Sequence, residues 1–124
     1  MLSISLVTIS TAEVTVPSYV ENNTLNVLCS KNLSCWDDGE SDWVKKYYLH
    51  KPFPKAMALG YKKIGLKYEL TYIVASGTGW PTLGGAKKQA LDACKKEAES
   101  GSTCTIFFTQ NSIADKELYK KFMT

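Results

Sequence analysis

The pattern of apolar, aromatic and β-branched positions predicts three β-strands between residues 55 and 109. Residues 55–61 alternate small and larger apolar side chains, and residues 68–75 are rich in aromatic and β-branched residues. Between them, residues 62–67 contain Gly65, and we interpret this segment as the turn of a β-hairpin. Residues 104–109 are almost continuously apolar, which predicts a strand at the centre of the sheet.

Apolar residues at helical spacing predict one main helix. Pro81 and Thr82 form a start signal with Thr82 as the N-cap, and Gly101 suits the position just after the helix end. The apolar residues that share one face of this helix are Leu83, Ala86, Ala90, Leu91, Cys94 and Ala98. Shorter helices are predicted over residues 41–50 and residues 115–123.

The N-terminal third has weaker periodicity. Residues 1–20 are predicted to be extended, and for residues 1–12 two interpretations stay open, a strand or arm and the remnant of an export signal. Residues 21–42 are rich in turn formers, and the apolar residues 25–29 inside them form either a strand or part of a helical turn. No run of about 18 apolar residues occurs, so no membrane span is predicted.

The 124 residues fit a single domain. We expect an α+β fold, a small and mostly antiparallel sheet with one main helix packed on one face and with disulfides that staple it. Residues 1–20 form an extended arm or strand, residues 21–54 a disulfide loop with a short helix, and residues 55–124 a hairpin–helix–strand–helix core.

The four cysteines are Cys29, Cys35, Cys94 and Cys104. Four cysteines allow three pairings, and the local pairs Cys29–Cys35 and Cys94–Cys104 are the simplest. Their spacings do not match zinc-site patterns, so no metal site is predicted. No cofactor is predicted either. Two disulfides indicate an oxidising compartment, and four buried free thiols are the alternative.

Charge is distributed unevenly, although the net charge is only +3. Residues 1–42 hold one lysine against six acidic residues, and the remainder holds fourteen lysines against six. No arginine occurs, and because arginine is suited to bidentate contacts with phosphates and base edges, its absence argues against specific nucleic-acid recognition. The lysines form either a solvated face or a surface that attracts anionic polymers or lipid headgroups weakly.

Candidate chemistry is sparse. His50 is the single histidine, and no nucleophile motif accompanies it. Asp37, Asp38 and Glu40 lie close together in sequence, and paired carboxylates can perform acid–base hydrolysis, although a solvated acidic turn is the simpler interpretation. The glycine-rich residues 75–80 superficially suggest phosphate binding, but they lack the full fingerprint and are better interpreted as a turn that carries Trp80 into the core.

Aromatic residues suggest a candidate partner surface. Tyr68 and Tyr72 are expected to share a strand face, and Tyr61 to oppose them across the hairpin. With Trp80 and nearby lysines they would form a surface suited to stacking, and core packing is the alternative. The acidic residues Asp37, Asp38 and Glu40 give a second candidate surface.

Residues 55–113 contain a series of motifs: a K-A-x-A strand at residues 55–58, a Gly/Trp turn at residues 77–80, an A-x3-A-L-x2-C helix at residues 86–94 and a Cys-led apolar strand at residues 104–108. In these motifs the segment resembles a small exported bacterial domain family of unknown function. The resemblance implies export and a Cys94–Cys104 disulfide, and it brings no catalytic residues to carry over.

These observations predict a non-enzymatic binding or inhibitory module that is periplasmic or secreted. Its expected partner is another protein or an envelope component, and no catalytic, cofactor-binding or metal-binding residue is predicted. Two alternatives stay open. One is a small hydrolase that uses Asp37, Asp38 or Glu40, and the other is a cytosolic immunity protein that neutralises a toxin and keeps its thiols reduced.

Overall fold

A computed structural model describes residues 14–36 and 42–124. Over these residues the chain forms four helices and five strands. The helices are α1 Thr24–Cys29, α2 Trp43–Tyr47, α3 Leu83–Glu97 and α4 Lys116–Met123. The strands are β1 Leu33–Ser34, β2 Ala56–Ile64, β3 Lys67–Ala75, β4 Thr103–Thr109 and β5 Ser112–Ile113.

The strands form one sheet in the order β1-β3-β2-β4-β5. β2 pairs antiparallel with both β3 and β4, and the short β1 lies parallel to β3. The central strand is therefore β2, and the expectation that residues 104–109 form the centre is wrong. β4 is apolar without alternation because its register with β2 shifts next to Ala58, so Phe107 and Phe108 both enter the same core.

The helices cover both faces of the sheet. Met57 and Leu59 of β2 face the larger core, where α1, α2 and α4 supply residues such as Leu28 and Phe122. Ala58 faces the opposite way, onto a small cluster with α3. The predicted fold class is confirmed, since α3 is the main helix and packs on one face of a mostly antiparallel sheet.

Close packing of α3 depends on Gly60 of β2. A Cβ atom at Gly60 would lie 3.1 Å from Ala98 Cβ and 3.2 Å from Cys94 Sγ. The missing side chain therefore lets the helix lie directly on the strand, where small residues such as Ala90 fill the interface.

The ends of α3 differ in how well the sequence predicts them. Thr82 is the N-cap as predicted, and its Oγ1 accepts a hydrogen bond from the Gly85 N–H at 3.1 Å. The helix ends at Glu97 because Ala98 is extended, with φ −66° and ψ 151°. Gly101, predicted to follow the helix directly, lies instead in the next turn with φ 88°.

Both predicted disulfides are present. Cys29–Cys35 joins the end of α1 to the residue after β1, and Cys94–Cys104 joins α3 to β4. Their Cα atoms lie 5.6 Å and 6.0 Å apart. Such bonds persist in oxidising compartments, which agrees with a location outside the cytosol. Within the described ranges, no helix is long and apolar enough to cross a membrane.

Of two open predictions for the N-terminal part of the chain, the structure decides one. The apolar residues 25–29 lie within a helix, α1, and not in a strand. The choice between strand and signal remnant for residues 1–12 falls outside the described residues.

Candidate binding surface

Three predicted site residues, Asp37, Asp38 and Glu40, lie outside the described residues. Their role in an acidic contact surface, or in a hydrolase, therefore stays a prediction. The first described residue after them is Asp42, which is exposed at the start of α2 and makes no capping hydrogen bond with its side chain.

Tyr61 and Tyr68 belong to an aromatic cluster with Phe122 of α4. The ring centroids lie 5.9 Å apart for the two tyrosines, and Phe122 lies 5.7 Å from Tyr61 and 5.2 Å from Tyr68. Both tyrosines are half-buried against the larger core. Burial raises the pKa of Tyr61, and Asp115 and Tyr68 add to the effect. These rings pack α4 against the hairpin.

The structure separates Tyr72 and Trp80 from that aromatic cluster. Gly60 pairs with Tyr72 and Tyr61 with Leu70, so an extra residue in β3 turns Tyr72 to the α3 side. Trp80 lies against the first turn of α3 and is 36% exposed. The turn before α3 therefore does not carry Trp80 into the core, and the four predicted aromatic residues do not form one surface.

The glycine-rich loop before α3 is held by that helix. Gln89 Oε1 accepts hydrogen bonds from the Gly77 N–H at 2.6 Å and from Trp80 Nε1 at 2.8 Å. Thr82 Oγ1 accepts a hydrogen bond from the Gly85 N–H. A phosphate at a helix start needs backbone N–H groups that point at it. Because these donors already have partners, the loop's hydrogen bonds favour a structural role.

His50 lines an open cleft of about 520 Å³ beside α2. The same cleft contains the ring pair of Trp43 and Tyr47, whose centroids lie 5.9 Å apart, and the side chain of Lys51. Over residues 14–36 and 42–124, no three His, Cys, Asp or Glu side chains come together as metal ligands.

Leu66, the most exposed large apolar side chain of the described residues, lies at the end of the β2–β3 hairpin together with Ile64. Leu66 is 91% exposed and Ile64 is 59% exposed. Ile64 pairs with Lys67 in the register, so only two residues form the turn. Gly65 is the first of them, with φ 63°, the position that requires glycine in a type II′ turn. We call residues 63–67 the hairpin tip.

Residues 62–67 contain the turn as predicted, but β2 continues through Ile64, so the turn itself is shorter. Ile64 and Leu66 were not predicted as surface residues. The available signal was two aliphatic residues on either side of a turn glycine, since hairpin turns usually carry polar residues such as Asn and Asp.

Lysines surround the hairpin tip. Lys63, Lys67 and Lys121 of α4 line a depression of about 550 Å³ together with Leu66. The described residues that line it include no carboxylate side chain. Lys62, by contrast, points away to Glu99, whose carboxylate lies 3.0 Å from its ammonium group. The tip therefore combines an exposed apolar point with lysines that line one side of it, while Glu69 lies with Ile64 and Lys67 on the other side.

No protein family, no curated protein and no solved structure matches this chain. The resemblance of residues 55–113 to a small exported domain family accordingly stays a prediction.

Proposed function

We propose that the protein is a non-enzymatic binding or inhibitory module of the periplasm or the extracellular space, and that the hairpin tip is its contact surface. The observation that carries this proposal is the 91% exposure of Leu66 at the end of a rigid hairpin. Large apolar side chains that project into water in a group are typical of interaction sites.

The surroundings of the tip support a rigid recognition element. β2 and β3 pair without interruption from the turn back to Tyr61 and Leu70, and the ring of Phe122 packs against Tyr61 and Tyr68 at the base of the tip. A contact loop fixed on such a scaffold loses little conformational entropy when it binds. The turn itself needs only Gly65 at positive φ, so the neighbouring Leu66 is not required for its geometry.

The disulfides support the proposed location. Cys29–Cys35 and Cys94–Cys104 persist where thiols are oxidised, as in the periplasm or outside the cell. A module in such a place meets proteins and envelope components of the host cell.

The test compares retention of envelope components by immobilised protein. The tip variant carries Ile64→Ser and Leu66→Ser, and the control carries Tyr47→Ser, an exposed aromatic position near the other end of β3. We expect the wild type and the control to retain the same component from the native host's envelope fraction, and the tip variant to lose it by roughly tenfold or more. Equal retention by all three proteins, with unchanged thermal unfolding, would overturn the proposal.

A further inference from the structure

The hairpin tip has the chemistry of a membrane-surface anchor. Ile64 and Leu66 are aliphatic and exposed, and they stand at the very end of the hairpin. Resting on the proposed function above, we infer that the tip docks on the surface of an anionic lipid bilayer, with Ile64 and Leu66 in the headgroup–acyl boundary and the lysines among the headgroups.

The backbone of the tip suits insertion. Ile64 and Lys67 form the last pair of the β2–β3 ladder, so only Gly65 and Leu66 lie beyond it. Unpaired backbone groups are costly in an apolar medium, and a two-residue turn exposes few of them. The tip can therefore place the side chains of Ile64 and Leu66 at the interface with only Gly65 and Leu66 beyond the last ladder pair.

Charge complementarity favours anionic lipid. Lys63, Lys67 and Lys121 line one depression with Leu66, and the described lining includes no carboxylate side chain. On the other side, Glu69 lines a smaller depression with Ile64 and Lys67, so three lysines stand against one carboxylate among the described residues around the tip. Lysine stems extend along apolar surface while the ammonium groups reach the headgroups, and anionic headgroups attract each of them.

The residue types favour a bilayer over a protein pocket. Energetic centres of protein–protein interfaces are enriched in tryptophan, tyrosine and arginine. Residues 63–67 contain only lysine, isoleucine, glycine and leucine. Binding to a bilayer requires no shape complementarity, so two aliphatic side chains with lysines beside them are sufficient for it.

The experiment is co-sedimentation of the full chain with vesicles. One set is pure phosphatidylcholine, and the other also contains phosphatidylglycerol. The tested variants are Ile64→Ser with Leu66→Ser, and Lys63→Ala with Lys67→Ala. The control is Lys87→Ala with Lys95→Ala, two exposed positions on α3 that change the net charge equally.

We expect the wild type and the α3 control to sediment with the anionic vesicles only. The lysine variant should bind the anionic vesicles roughly 30-fold more weakly than the wild type, and the serine variant should bind them roughly tenfold more weakly or worse. Binding should also fall in about 1 M salt, where the Debye length is about 3 Å. Failure of the wild type to bind anionic vesicles, or equal binding by the tip variants and the control, would overturn the inference.

The outcome separates this inference from the proposed function. A wild type that ignores both vesicle types, but retains an envelope protein that the serine variant loses, would contradict membrane docking and leave the binding proposal standing. A serine variant that matches the wild type in both assays would contradict both.

Discussion

The ammonium nitrogen of Lys55 lies 3.0 Å from the carbonyl oxygen of Tyr48 and donates a hydrogen bond to it. It also donates to the carbonyl of Leu49 at 3.2 Å, and the Lys55 residue is only 1% exposed. Burial lowers the pKa of Lys55, and the nearby Lys51 adds to the effect. Because both carbonyls follow the end of α2, this lysine ties α2 to the start of β2.

Replacing Lys55 therefore tests how α2 is held. Lys55→Met keeps much of the side-chain volume but removes the ammonium donor from both carbonyls, of which that of Tyr48 keeps the Lys51 backbone N–H at 3.0 Å. We expect a loss of about 1–3 kcal/mol in the free energy of unfolding, measured by urea denaturation. The control Lys51→Met should change it by less than about 0.5 kcal/mol, since the side chain of Lys51 is partly exposed. Equal effects would contradict this role.

The buried Tyr48 hydroxyl should make the folded protein less stable at alkaline pH. It donates to the carbonyl of Gln110 at 2.5 Å, and burial raises the pKa of Tyr48 well above 10.0. The unfolded chain loses this proton near pH 10.0, whereas the folded chain keeps it, so the folded state loses stability as pH rises above that value.

Tyr48→Phe should remove this alkaline loss. At neutral pH we expect the variant to be less stable by about 1 kcal/mol, because the hydrogen bond to Gln110 is gone. Urea denaturation at about pH 8 and about pH 11 should show the difference shrinking at the higher pH. The raised pKa values of Tyr61 and Tyr119 affect wild type and variant alike and cancel. A difference that stays constant would refute the prediction.

Two neighbouring glycines in α3 should respond oppositely to alanine. A Cβ at Gly84 would meet only Thr82 Oγ1, at 4.0 Å, so Gly84→Ala should stabilise the helix by about 0.5–1 kcal/mol. A Cβ at Gly85 would lie 2.9 Å from the Trp80 ring, so Gly85→Ala must displace that ring and should destabilise the protein by about 1 kcal/mol. Urea denaturation of both variants checks this, and equal stabilisation would mean that Trp80 does not pack there.

The disulfides should differ in their contribution to stability. Cys94–Cys104 closes a separation of 10 residues and joins α3 to the sheet, and Cys94 is fully buried. Cys29–Cys35 closes a separation of 6. Replacing Cys94 and Cys104 by alanine should lower the free energy of unfolding by about 3 kcal/mol. Replacing Cys29 and Cys35 should lower it by about 2 kcal/mol. A larger loss on removing Cys29–Cys35 in urea denaturation would contradict this ranking.

The local elements of the fold could be predicted from the sequence because their signals are local. Alternating small and larger apolar residues marked β2, aromatic and β-branched residues marked β3, and Thr82 marked the start of α3. The shifts of register could not be predicted, because they arise where strands adjust to what packs on them. One shift places Phe107 and Phe108 in the same core, and the other sends Tyr72 to the face opposite Tyr68.

The candidate surface was predicted only in part. The sequence indicated the hairpin as a contact surface, but it indicated the tyrosines of the hairpin and not its tip. Phe122 of α4 packs against two of these tyrosines, Tyr61 and Tyr68. Exposure depends on which elements pack nearby, and alternation along one strand does not contain that information. Ile64 and Leu66 are exposed because β2 and β3 extend beyond the helices that cover their other residues.

The most direct test of the hairpin tip as contact surface is photo-crosslinking in the native host. A photoreactive amino acid replaces Leu66 in one strain and the exposed Lys87 of α3 in another, and the adducts are identified by mass spectrometry. We predict a defined protein or lipid adduct from position 66 that position 87 does not give. Absence of any adduct at position 66, or the same adducts from both positions, would contradict the account.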